Sequence, residues 1–507
     1  MTDTINFGID LGTTNSLIAR FTEGGVQVYR NPTGRGFTEI LPSVVWIRKD
    51  TIIVGDKAYE HLGKDPLDVF FRFKVKMGTN ESFRVSSLGK LVTPQDLSSY
   101  VLRELLTFVQ AGGGESVDST VVTVPASFDP MQSNATLEAG KLAGFKQVIL
   151  LQEPIAASLA LVNQRRKGEL PNGKWLVYDL GGGTFDLALV SVTDGELRVI
   201  DHEGDNNLGG GNFDDLIIRE IVVPYLESNY KLEGLKDLRN ASSKHNALYY
   251  RLLFEAEKAK VELSARTAAE IEVTFTDDAG STQDAFVPVT RSQFDRLILP
   301  LVDRTVEMVK TLFTRNNLMP TDVQFLLMVG GSTYIPVVRE RVGELSGVRV
   351  NCDVDPVTAI AVGAAYYAGT RRKEVAATPA TQQQKGLHVR TAFNRVSREV
   401  VEPIAIAVDG DTTGLYYRIT SEDGSFDSGL KRLQPKVFEE LRLVSKADNL
   451  FSLRVYDEQG RVVPSDAEPI QILQGIYAIS GQPLPADISL GMVYKYCNLH
   501  GFWKADF

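Results

Sequence analysis

Two stretches of the chain, Phe7-Gly-Ile-Asp-Leu-Gly-Thr-Thr-Asn15 and Val177-Tyr-Asp-Leu-Gly-Gly-Gly-Thr-Phe-Asp186, repeat one design. Each is an apolar run closing on an aspartate, Asp10 or Asp179, followed by a glycine turn, hydroxyl residues and a second apolar run, Ser16–Phe21 or Leu187–Val192. The pattern predicts a β-hairpin twice over. Glycine lets the backbone N–H groups of the turn approach a phosphate with no Cβ in the way, and successive N–H groups form an anion-binding concavity. Aspartate at the strand end suits Mg²⁺, which gives up its hydration shell reluctantly and is usually held through water. Two such hairpins facing one another would grip a polyphosphate from both sides. A single Asp-Leu-Gly is as readily an ordinary tight turn; two extended copies make that reading improbable. There is no G-x-x-x-x-G-K-[ST] loop and no strand-linked G-x-G-x-x-G, so P-loop and Rossmann readings lose their main support. A third glycine pair ends the apolar run Phe325-Leu-Leu-Met-Val-Gly-Gly-Ser-Thr333 and is a candidate wall for a nucleoside.

Up to about Thr370, strand-like runs alternate with helix-like segments, which argues for α/β layers. Strands are expected at Ile5–Ile9, Val121–Val124, Trp175–Tyr178, Phe185–Val192 and Phe325–Val329. Asp129 and Pro130 open a helix that stops near Gly144, and Asp355 and Pro356 open another through Ala368. Leu248–Ser264 mixes apolar and charged residues at helical spacing and reads as a long half-exposed helix. Residues 371–386 then offer almost nothing to bury and mark a polar linker. Beyond it, Ile404–Val408, Leu415–Ile419, Phe451–Tyr456 and Ile470–Ile479 are rich in β-branched and aromatic residues and are separated by turn signals. Residues 387–507 are therefore expected to form a mainly β, sandwich-like domain with no long helix after it.

The chain has 507 residues, room for about three domains with sizeable cores. Its net charge of −10 repels phosphate backbones and anionic membranes, so neither nucleic acid nor membrane is an expected partner. Two cysteines, Cys352 and Cys497, exclude a disulfide framework or a cysteine-rich zinc site and fit a reducing cytoplasm. No basic leader or long apolar span is visible.

Taken together the motifs resemble the seventy-kilodalton heat-shock chaperones, members of the actin, sugar-kinase and chaperone ATPase superfamily. The likeness covers roughly residues 5–370. It rests on Ile9–Ser16, Val122-Thr-Val-Pro-Ala126, Gln132 with Ala135-Thr136 and Ala139-Gly140, Glu153-Pro-x-Ala-Ala157, Asp179–Asp186, Leu208-Gly-Gly210 with Phe213-Asp214, Glu257-x-Ala-Lys-x-x-Leu-Ser264, Val329–Thr333 and Asp355-Pro356. The resemblance implies an actin-like, two-lobed, duplicated ATPase domain over residues 1–370, with Mg²⁺ and ATP or ADP in the central cleft.

Residue by residue, the resemblance places Asp10 and Asp179 near Mg²⁺, with Glu153 contacting the metal or positioning water. Gly12, Thr13, Thr14, Asn15, Gly181, Gly182, Gly183 and Thr184 match the phosphate turns, and Gly209 and Gly210 the Leu208-Gly-Gly210 motif. Lys74 aligns with the family's catalytic lysine when Gly78 is held in register; Lys76 is the competing choice. An ammonium beside the γ-phosphate stabilises charge developing in the transition state. Glu153 precedes Pro154, which disfavours helical backbone and suggests a loop position reaching the cleft. Glu257, Lys260 and Ser264 fall on one helix face and, with Gly330, Gly331, Ser332 and Asp355, match the adenosine side.

The chain departs from the family pattern at several points. Tyr334 and Val261 stand where arginines are common on the adenine side, and Ser133 and Ile149 where basic residues relay signals to the linker. The linker is polar where a leucine-rich, aspartate-containing one is usual, which argues against coupling to a J-domain protein or nucleotide exchange factor. The family's helical lid is not detectable, so residues 387–507 are expected to be lidless; Pro485–Gly491 faintly resembles the start of the family's substrate domain, and either residues 387–480 are an unrelated β domain inserted before a truncated substrate domain or that similarity is accidental. The expected function is a slowly hydrolysing, chaperone-like ATPase, monomeric and cytoplasmic, whose β domain contacts protein segments or peptides. The rivals are a nucleotide-dependent assembly or sensor protein on an actin-like core and a small-molecule kinase on the same fold. No carboxylate poised on a substrate hydroxyl identifies the kinase.

Overall fold

The computed structural model describes residues 4–33, 39–62, 64–114, 116–164, 172–193, 196–240, 243–371, 373, 387–393, 396–397, 400–445, 447–467 and 469–474. Most of the 371–386 linker, the Pro485–Gly491 segment and the end of the Ile470–Ile479 strand lie outside the described residues.

Two sheets of the first domain are built on one plan. In the first, the strands run Gln147–Gln152, Ser119–Val124, Phe7–Leu11, Asn15–Thr22, Gly25–Val28 from edge to edge. In the second they run Val350–Asn351, Leu326–Val329, Gly173–Leu180, Phe185–Thr193, Glu196–Asp205. In each sheet the first three strands in chain order form an antiparallel meander, and two later strands add in parallel on the other side. The duplicated hairpin is thus the visible tip of a duplicated sheet. Strand Phe7–Leu11 is buried along its whole length, as expected for a central strand covered on both faces, and its run is accordingly continuous rather than alternating.

The helices follow their sequence signals closely. Pro130–Ala143 begins on an Asp129 capping box and ends at Gly144, whose φ of 103° is the left-handed stop that glycine adopts readily. Asn246–Ala265 contains the long helix expected from its mixed pattern. Ala359–Gly369 starts later than expected, because Asp355 uses its carboxylate to accept from the N–H groups of Val357 and Thr358 and so forms a turn ahead of the helix.

That last helix joins the two halves. It follows the second sheet in the chain but returns to the first: a Cβ on Gly8 would lie 2.2 Å from the Ala365 nitrogen, and one on Gly363 would lie 1.7 Å from the Ala156 carbonyl oxygen. Its small residues, Ala-Ile-Ala-Val-Gly-Ala-Ala, permit this approach to both a strand and the helix Glu153–Gln164. Ala359, Ile360, Ala364, Tyr367 and Ala368 share a core with Ile155, Leu159, Trp175, Val177 and Leu327.

In the C-terminal region, His388–Ala392, Val401–Asp409 and Lys436–Arg442 form one sheet. Asp448–Tyr456 forms the centre of a second, between Tyr416–Ser421 and Ile470–Gln474. One apolar cluster, including Ile404, Ile406, Leu441, Phe451, Val455 and Ile472, draws on both sheets, as the sandwich reading requires. Among the described residues no helix is long and apolar enough to cross a membrane.

The close contact at Gly363 yields a direct test. Gly363→Ala is expected to lower stability by about 1–3 kcal/mol, since a backbone carbonyl stands where the methyl must go. Gly24→Ala, which meets nothing within 4 Å, is expected to be near neutral. Denaturant midpoints of the two variants check the difference.

Candidate functional site

The two hairpin turns meet. A Cβ on Gly182 would lie 2.8 Å from Thr14 Cγ2, and one on Gly183 3.4 Å from Thr13 Cγ2. In the first turn Gly12 N donates to Ser16 Oγ at 3.1 Å, and Ser43 Oγ donates to the Gly12 carbonyl at 2.8 Å, so the glycine is held on both sides. In the second, Gly181 N donates to the Thr184 carbonyl, while Gly210 N and Gly211 N donate to the carbonyls of Gly181 and Gly182. Ser332 Oγ adds a bond to the Gly181 carbonyl at 2.9 Å. The third glycine pair is thereby packed on the second turn. Gly330 takes a φ of 83°, and a Cβ there would stand 2.4 Å from Asp179 Oδ1.

Beneath the turns lies a buried acidic cluster with one lysine in it. Lys74 Nζ donates to Glu153 Oε1 at 2.8 Å, with the two side chains 4% and 10% exposed. Asp10 accepts from Thr123 Oγ1 at 3.1 Å. Burial first, and then the Glu153 charge, push the Asp10 carboxyl up to about 7. Burial and the same glutamate raise Asp186 to about 7, and burial with Glu153, Asp186 and Asp10 raises Asp179 well above the carboxylate range. Burial alone would lower Lys74, but Glu153, Asp10 and Asp186 outweigh it and hold the ammonium charged. Four carboxyls, Asp10, Glu153, Asp179 and Asp186, thus share the site with one ammonium.

The sequence signals for this cluster were uneven. Lys74 rather than Lys76 faces the carboxylates; Lys76 pairs on the surface with Glu81 at 2.7 Å. Glu153 does not sit in a loop. It is the first residue of the helix Glu153–Gln164, where Pro154 in the opening turn needs no N–H partner, and it is buried in the cluster all the same. Asp186 was visible as the end of the second motif but carried no role; the register sets it directly opposite Asp179, whereas Leu17 is opposite Asp10. Thr123 lies in the Val122-Thr-Val-Pro-Ala126 motif, which marked the strand but assigned this hydroxyl no partner.

On the other side of the cleft, Lys260 is buried and donates to Asp214 Oδ2 at 2.8 Å and to the Gly210 carbonyl at 3.3 Å. Burial is the largest influence on Asp214, which rises to about 7 although Lys260 pulls it down. Glu257 accepts from Tyr59 Oη at 3.3 Å, a bond from the opposite lobe. Ser264 Oγ donates back to the Lys260 carbonyl of its own helix. Tyr334 carries Arg339 over its ring at 5.5 Å, and burial followed by the Asp355 charge raises its hydroxyl to about 12. Asn15 begins the second strand of the first hairpin, and Gly209 and Gly331 open the helical segments after the second and third glycine motifs.

The Hsp70 protein family profile matches residues 6–379. Among curated relatives, the chaperone protein DnaK of Mycoplasma mycoides subsp. mycoides is 38% identical over 370 residues, 73% of this chain and 59% of that protein. The chain thus spans well under two thirds of that relative's length.

The crowding of carboxylates has a measurable sign. A carboxyl whose folded pKa lies above its ordinary value stabilises the fold fully below that ordinary value and loses the contribution as pH rises through the folded pKa. For Asp10 that window runs from 3.8 to about 7. In EDTA and without nucleotide, Asp10→Asn is expected to melt a few degrees above the unaltered protein at pH 8, with the gap closing toward pH 5. Melting curves across that range check it.

Proposed function

The chain belongs to the Hsp70 family, and from that membership and the geometry of its cleft we propose that it binds Mg·ATP between the two hairpin turns and hydrolyses it slowly, as a chaperone ATPase whose C-terminal β domain contacts protein segments. The observation that carries the reading is the buried Lys74–Glu153 pair among Asp10, Asp179 and Asp186, beneath two glycine turns in contact with one another.

The donor set fits a hydrated Mg²⁺. Burial, and after it the Glu153 charge, raise Asp10, Asp179 and Asp186, and a divalent cation would relieve that crowding. Among the described residues no three His, Cys, Asp or Glu side chains are grouped to ligate a metal directly, which suits an ion held by one or two carboxylates and water. Asp10 and Asp179, with Glu153 beside them, are the residues that would hold it, and the ion would supply charge neutralisation on the phosphates. The backbone N–H groups of the turns and the hydroxyls of Thr13, Thr14 and Thr184 bind and orient the triphosphate. Lys74, charged and fixed by Glu153, stabilises charge on the transferring phosphoryl group, while Glu153 accepts hydrogen bonds that set the ammonium and the attacking water. Lys260, Gly330, Gly331, Ser332 and Asp355 line the nucleoside side, where the Tyr334 ring takes the stacking place of an arginine.

Saturating Mg·ATP is expected to raise the melting temperature by mass action, and EDTA to weaken the effect. Lys74→Ala is expected to keep this nucleotide-induced stabilisation but to lose about 10²–10³ in single-turnover hydrolysis, with Lys76→Ala little changed. A melting temperature indifferent to Mg·ATP, or the reverse ranking of the lysines, overturns the assignment.

Coupling between the domains is expected to be weak. Control in both directions needs an element whose equilibrium both sites bias, and a polar linker has little apolar area to dock. Deleting residues 387–507 is expected to change the steady-state ATPase rate by less than about twofold, and a J-domain to stimulate either form little; a two-state coupling typically amounts to about 5–150-fold. Turnover of the full chain and of residues 1–372, each with and without J-domain, checks this.

A further inference from the structure

Arg72 is the first lobe's one arginine that reaches backbone of the second-lobe phosphate turn among the hydrogen bonds of the described residues. Its Nη2 donates to the Gly183 carbonyl at 3.1 Å and to the Asn206 carbonyl at 3.1 Å. Gly183 belongs to the second glycine turn, and Asn206 to the segment between strand Glu196–Asp205 and helix Gly210–Ile217. The guanidinium Nε is buried and lies 3.4 Å from where a Cβ on Gly183 would stand. Arg72 also holds a φ of 56°, a left-handed conformation that few residues other than glycine adopt. It directly precedes the short helix Phe73–Lys76 that carries Lys74, so the unusual backbone turns the arginine toward the opposite lobe while the lysine two residues on enters the acidic cluster. A strained residue persists where the surrounding contacts over-determine it, and such residues cluster at functional sites.

We propose that Arg72 is a positioning residue that holds the two lobes closed over bound nucleotide and thereby sets the rate at which nucleotide leaves. The inference rests on the nucleotide-binding reading above. Opening the cleft separates Arg72 from two carbonyls at once, and hydrogen bonds from a charged donor are stronger than neutral ones. Tyr59 and Glu257 make a second bond between the lobes, a single one at 3.3 Å and away from the phosphate turns. Arg72 touches one carbonyl of the turn and one of the Asn206 segment and, among the hydrogen bonds of the described residues, makes none to the carboxylate cluster, so its loss acts on residence time more than on chemistry.

The test uses the full chain and a fluorescent N-methylanthraniloyl derivative of ADP, displaced by excess Mg·ADP in a stopped-flow instrument. Arg72→Gly accepts the backbone conformation and removes the side chain; it is expected to release the probe about tenfold faster or more. Arg72→Lys keeps the charge without the planar fork and is expected to fall between the two. Single-turnover hydrolysis of pre-bound ATP is expected to stay within about threefold of the unaltered protein, where Lys74→Ala loses far more. Unchanged release in both variants overturns the proposal. So does a loss of single-turnover hydrolysis equal to that of Lys74→Ala, which would make Arg72 a catalytic group. If Arg72→Gly does not fold, Arg72→Lys decides alone, by faster release or none. Failure of the unaltered protein to bind the probe defeats the nucleotide reading itself and is distinguishable from a failure of the latch.

Discussion

One lysine buried among carboxylates organises the first domain. Lys74 meets Glu153 at 2.8 Å with both side chains nearly sealed from solvent, and Asp10, Asp179 and Asp186 are held close enough to feel the Glu153 charge. A buried pair of this sort is weak evidence of stability, because desolvation takes back most of the Coulomb gain. The surrounding carboxylates, raised toward neutrality, add nothing to the fold at neutral pH. Perturbed carboxyls gathered around one lysine mark a candidate site, the one on which the proposed Mg·ATP binding rests.

The rest of the domain positions that cluster from two directions. Each half delivers an aspartate at the end of a central strand, and the lobes remain one body because the helix Ala359–Gly369 crosses back onto the first sheet. That crossing depends on missing side chains at Gly8 and Gly363 rather than on a strong attraction. Close packing supplies the rigidity, and the glycine turns supply backbone N–H groups that side chains would have covered.

Much of this was legible in the chain. The paired hairpins announced a duplicated architecture, and caps such as Asp129 with Gly144 fixed a helix to within a residue. Lys74 was separable from Lys76 by holding Gly78 in register, and the structure places only the former with the acids. What stayed hidden depends on long-range placement. Pro154 was a correct signal read the wrong way, since proline favours a helix start as much as it disfavours a preceding helical residue. Asp186 gained meaning only from its register with Asp179. Arg72 gave no local warning that it would reach carbonyls 111 and 134 positions away. In the C-terminal region the strand runs were readable individually, while their division between two sheets follows from pairings no local pattern encodes.

The two hairpins share a topology but not a chemistry. Opposite Asp10 the partner strand presents Leu17; opposite Asp179 it presents Asp186. A symmetric clamp would hold a chain of phosphates equally well in either direction, with nothing to say which end reacts. A carboxylate in place of an aliphatic side chain in one repeat alone makes the two turns chemically unequal. The duplicated sheets supply the scaffold, and this rung of the ladder, together with the Lys74–Glu153 pair, breaks their symmetry.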